Sequence, residues 1–133
     1  MLKKIAFLMS MFLFITIGVN LGSQTIVSIG GDWNFIISVG GQEMNAGMTI
    51  KQEGENIKVI IKNSAGAERG GTGHVKGNEI EWTEINKNGS QEVIVIYKGK
   101  IERDVINGYC FPKDNESSRL DWKAVRKAKG FGA

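Results

Sequence analysis

From residue 32 onward, apolar and polar side chains alternate. In Trp33-Asn34-Phe35-Ile36-Ile37 and Ile57-Lys58-Val59-Ile60-Ile61, every second position is large and apolar. That is the period of a strand with one face against a core. Beyond the first two dozen residues, no ten-residue stretch carries a 3.6-residue apolar period, so helices are not expected there. The alternation and the turn residues between runs predict eight strands. They span about 32–39, 43–51, 56–63, 68–76, 79–86, 91–101, 104–111 and 119–127. Asn88-Gly89 between two alternating runs is the strongest short-range hairpin signal. QEGEN at 52–56 and KGN at 76–78 mark further tight turns.

Every connection is short, which favours an all-β antiparallel meander. Eight short strands must dispose of their edges, and closure into an eight-stranded up-and-down barrel removes them. An open sandwich is the alternative. In a closed meander the first and last strands are neighbours. Trp33, Phe35 and Ile37 share one face of the first, and Trp122, Ala124 and Arg126 share one face of the last. Arg126 is then expected to lie over the Trp33 indole and to reach backbone carbonyls at that end, plugging it. Gly31, Trp33, Trp122 and Arg126 are the expected closure residues. A Gly-x-Val/Ile-x-x-Asn/Asp-x-Ile pattern occurs at 73–80 and again at 99–106, which reads as one hairpin corner used twice.

These residues carry a resemblance. Gly31-Asp32-Trp33 is similar to the Gly-x-Trp start of lipocalins and their calycin relatives, and Arg126 to the basic residue those families pack on that tryptophan. DWKAVR at 121–126 resembles the final strand of avidins. The glycine-rich meander also resembles small secreted bacterial lipocalin-like domains. The resemblance implies a calycin barrel over roughly 31–127. It departs from avidins at the ligand: the polar residues that hold biotin there are replaced by NFIISVG, with only Asn34 and Ser38 polar. Biotin is therefore not the expected ligand.

In such a barrel, turns near 52–56, 76–79 and 102–104 share one end with Trp33 and Arg126. The segments 39–43, 63–68, 86–91 and 112–118 share the other and are read as mostly longer, so a ligand mouth is placed there. Parity points inward Phe35, Ile37, Met44, Met48, Ile50, Ile57, Val59, Ile61, Val75, Ile80, Trp82, Val95, Tyr97, Leu120 and Trp122. Arg69 and Glu84 share that parity and are expected to pair near the mouth, where they could anchor a polar head group. The candidate ligand-binding set is Phe35, Met44, Met48, Trp82, Tyr97, Arg69 and Glu84. One competing reading is that the lining residues simply pack a solid core; another is that a bulge or splayed strand end releases Arg69 and Glu84 to solvent.

Composition narrows the function classes. Eighteen glycines against one proline suit sharply bent strands. MLKK followed by IAFLMSMFLFITIGVNLG reads as a secretory signal peptide, residues 1–23, leaving one domain at 24–133 and a secreted or periplasmic location. A retained membrane helix is the alternative. Loss of Lys3 and Lys4 with the leader takes two charges from a formal net charge of +3. No concentrated basic surface remains, so neither nucleic acid nor, after cleavage, a membrane is expected as partner. Cys110 is the only cysteine and His74 the only histidine. Neither a nucleophile–base pair nor a zinc set can be assembled from them, and no enzyme, metal or cofactor is expected. Asn88-Gly-Ser and Asn115-Glu-Ser fit glycosylation acceptors in loops. The expected function is binding of a small apolar ligand at the barrel mouth; the alternative is a protein partner or enzyme inhibited through the long loops.

Overall fold

The computed structural model describes residues 26–128, and the expected leader at 1–23 lies outside the described residues. Eight strands follow in chain order: β1 Gly31–Val39, β2 Gln42–Glu53, β3 Asn56–Lys62, β4 Glu68–Lys76, β5 Glu79–Asn88, β6 Gln91–Glu102, β7 Val105–Pro112 and β8 Leu120–Arg126. Each pairs antiparallel with the next, and β8 returns to β1, closing an up-and-down barrel. The sandwich alternative is excluded.

Most connections are two-residue hairpins. Gly40 and Gly41 join β1 to β2 with φ of 58° and 82°. Positive φ at both central positions matches the twist of the flanking strands. Arg103 takes the same conformation, φ 58°, without being glycine. Only the β3–β4 and β7–β8 connections are long. The sequence had suggested mostly long loops at the end opposite Trp33. Two of the four there are tight, because β2 begins at Gln42 and β5 runs on to Asn88.

The end that holds Trp33 is laced shut. Each of its tight turns accepts a backbone hydrogen bond from the next hairpin or strand: Val75 N to Glu55 O at 2.8 Å, Ile101 N to Asn78 O at 2.7 Å, Arg126 N to Asp104 O at 2.9 Å. The twice-used corner at 73–80 and 99–106 therefore has a geometric purpose. Residues 27–30 lie across this end. Trp33 Nε1 donates to Ile29 O at 2.9 Å. Gln52 accepts from Ile29 N at 2.7 Å and donates to Val27 O at 2.8 Å. The Arg126 guanidinium stands 4.4 Å over the Trp33 ring and donates to Ser28 O at 3.1 Å. Its Nε pairs with Asp104 at 2.9 Å.

The interior is filled. Phe35 stacks on Trp122 with centroids 5.5 Å apart, Trp82 on Tyr97 at 4.5 Å, and Trp82 meets Trp122 at 5.2 Å. Four inward positions on β4, β6 and β7 are glycines. Gly73 faces Trp82, Gly71 faces Glu84, and Gly99 faces Gly108, which faces Trp122. A methyl group on Gly108 would meet the Lys98 carbonyl oxygen first and stand 2.5 Å from Trp122 Cζ2, so backbone and indole together occupy the space a side chain would need. Met48, Ile50, Ile57, Val59, Ile61, Val75 and Ile80 complete the core.

Two of the expected lining residues are exposed, and a third, Val95, is only partly buried. Met44 is 58% exposed and Leu120 36%. Both keep core-facing parity, paired to Ile37 and Cys110. Parity sets which side of the sheet a residue takes, whereas burial also needs depth along the barrel. Both residues lie at the open rim.

Candidate functional site

The open end is where apolar surface collects. Among the described residues six large hydrophobic ones are exposed: Ile26, Val39, Met44, Ile85, Val93 and Leu120. Val39 follows Ile37 on the inward face of β1, Met44 opposes Ile37, Val93 precedes Val95 on β6, and Leu120 precedes Trp122 on β8. Four of the six thus ring one mouth with the parity of core residues. Ordinary surface hydrophobics occur singly and scattered; these do not.

Between β1, β2 and the β3–β4 loop lies a cup of about 160 Å³. Phe35, Ile37 and Ile61 supply its apolar wall, with Met44, Asn63 and Arg69 around it. The loop is held in shape by Asn63, whose Oδ1 accepts from the amides of Ala65 and Ala67, both at 3.0 Å. The other long loop folds back on the outer wall, where the Arg119 guanidinium stands 3.9 Å over the Tyr109 ring.

Behind the cup is a buried acid. Glu84 is 1% exposed and is the buried charged residue of the core. Its Oε1 accepts from Tyr97 OH at 2.8 Å. Its Oε2 accepts no hydrogen bond, although Arg69 Nε stands 3.4 Å away. Arg69 is half-exposed, so one guanidinium spans from the buried carboxylate to the cup. Burial, and then the neighbouring Glu84 charge, push the Tyr97 phenol well above its ordinary range, so it remains a donor. Burial likewise pushes the Cys110 thiol up to about 11. Trp82 Nε1 is a second buried polar atom without a partner.

Of the candidate ligand-binding residues, Phe35, Met44 and Arg69 meet at the cup, and Glu84 stands directly behind Arg69. Met48, Trp82 and Tyr97 lie in the packed core and do not line the cup. Sequence reasoning missed Val39 and Val93 at the rim. The signal was present, since each continues an inward series by one step of two. It also missed Gln52, whose contacts run to a segment outside the strands and leave no periodic trace.

A wider hollow of about 440 Å³ lies on the outer wall over β4–β7. Its Glu79 and Glu81 stand opposite Lys100 and Lys98, and its polar groups face solvent. Among the described residues no His, Cys, Asp and Glu gather as a metal-ligand set. No protein-family model and no curated protein sequence matches the chain.

Proposed function

We propose that this chain is an exported, calycin-like barrel that seats the apolar part of a small molecule at its open end and catalyses no reaction. The ring of Val39, Met44, Val93 and Leu120 above the cup carries the reading. Exposed side chains with core parity complete a core only when something apolar sits on them. The cup, at about 160 Å³, is smaller than the roughly 300–1,000 Å³ of an ordinary ligand pocket. It takes one end of a ligand, and the rim covers the remainder.

The test uses N-phenyl-1-naphthylamine, an uncharged dye that brightens in apolar surroundings. The native protein brightens it, Met44→Asp abolishes the effect, and Ile85→Asp, on the outer wall, leaves it intact. Equal loss in both variants overturns the mouth as the site.

A further inference from the structure

The mouth carries one feature that an apolar seat does not need: a buried carboxylate oxygen without a hydrogen bond, next to a half-exposed guanidinium. We infer that the ligand's head group is uncharged and both donates and accepts hydrogen bonds, as a hydroxyl or carboxamide does. This rests on the reading of the mouth as an apolar seat. Glu84 and Arg69 already balance each other in charge at 3.4 Å. What they lack is hydrogen bonding: Glu84 Oε2 is an acceptor in want of a donor, while Arg69 is donor-only. A group that donates to the first and accepts from the second satisfies both and leaves no net charge behind.

The charged alternatives each leave a conflict. A carboxylate on Arg69 would face the Glu84 carboxylate directly behind it, in a site where one carboxylate is already 1% exposed. An ammonium on Glu84 would face the Arg69 guanidinium. Like charges in a poorly solvated site repel more strongly than in water; the cup's other carboxylate, Glu68, is exposed and already paired with Lys62 at 3.9 Å, so it offers an ammonium little. Chain length follows from the cup. An apolar cavity of about 150 Å³ takes up benzene, so about six carbons fit the about 160 Å³ here.

The experiment compares hexan-1-ol, hexanoate and hexylammonium at pH 7, read by amide chemical shifts of Val39, Met44, Val93 and Leu120. The native protein binds the alcohol about tenfold more tightly than either ion. Glu84→Gln leaves Arg69 uncompensated and turns the preference to hexanoate. Arg69→Gln leaves Glu84 uncompensated and turns it to hexylammonium. Each variant breaks a pair that holds a buried carboxylate and can weaken the fold, so the dispersion of its amide spectrum is checked first, and the order of the three probes on the native protein tests the inference without either variant. A native preference for either ion, or the same order of probes in both variants, overturns the head-group inference while leaving the apolar seat standing. No rim shift with any of the three overturns both.

Discussion

Arg126→Ala tests what holds the barrel closed. The side chain performs three tasks at once. Its guanidinium covers the Trp33 ring at 4.4 Å, a contact of about 0.5–2 kcal/mol depending on desolvation. It donates to Ser28 O at 3.1 Å and Gly30 O at 3.4 Å, long bonds of about 0.5–1.5 kcal/mol each. It pairs with Asp104, but that carboxylate is 73% exposed, and such pairs contribute below about 1 kcal/mol. Together the expected loss is about 2–4 kcal/mol, most of it from the ring and the carbonyls. Urea unfolding, followed by tryptophan fluorescence, measures it. With a slope of about 1.5 kcal/mol/M, the midpoint falls by about 1.3–2.7 M. Asp104→Ala should shift the midpoint by less than about 0.7 M. Arg126→Lys keeps the charge but not the planar fork, and should recover less than half of the loss. If Asp104→Ala destabilises as much as Arg126→Ala, or if Arg126→Lys matches the native protein, closure is a matter of charge pairing and the stacking argument is wrong.

Other consequences are more local. Gly108→Ala should destabilise by about 2 kcal/mol or more, because its methyl would run into the Lys98 carbonyl oxygen and stand 2.5 Å from the Trp122 ring; Gly47→Ala, with nothing nearer than 3.9 Å, should be tolerated, and thermal melting of the two separates them. Tyr97→Phe removes the donor to Glu84 Oε1 and should cost about 1–3 kcal/mol in the same melts, with an unchanged midpoint counting against a structural role for that bond. Cys110 is buried, its thiol pushed up to about 11, so a thiol-reactive disulfide at pH 8 should label the folded protein far more slowly than the urea-unfolded chain. Its raised value also means stability present at pH 8 declines as the pH climbs towards 11, since the unfolded thiol ionises first, and Cys110→Val should flatten that part of a stability-against-pH curve.

The ladder of the barrel was legible because it rests on a strict period. Once Trp33, Phe35 and Ile37 are set inward, registers propagate, and Arg126 opposes Trp33 as alternation requires. The Arg69–Glu84 neighbourhood was legible for the same reason, through the tight turn at Gly77. Three things were not. Depth along the barrel is invisible to parity, so Met44 and Leu120 read as core although they stand at the rim. Fullness is invisible too: whether Trp82, Tyr97 and Trp122 line a hollow or fill it depends on how the rings stack and on Gly99 and Gly108 leaving room for the Trp122 indole. The plug of 27–30 follows no period at all, being held by side chains such as Gln52.

The two ends of the barrel treat their polar groups in opposite ways. At the closed end, Gln52 and Arg126 satisfy the carbonyls of residues 27, 28 and 30 and the amide of Ile29. At the open end a carboxylate oxygen is buried without a donor, and four apolar side chains face water. Both features are unfavourable to the free protein, and seating one ligand would relieve both together. Their sizes show that neither suffices alone. Fully burying a large apolar side chain is worth about 1.5–3 kcal/mol, so four that are roughly half-exposed yield about 3–6 kcal/mol. Association alone costs about 4 kcal/mol or more in lost freedom. A ligand held by the rim only, such as the dye, is therefore expected to bind weakly, and the proposed contacts of a head group with Arg69 and Glu84 would raise that affinity.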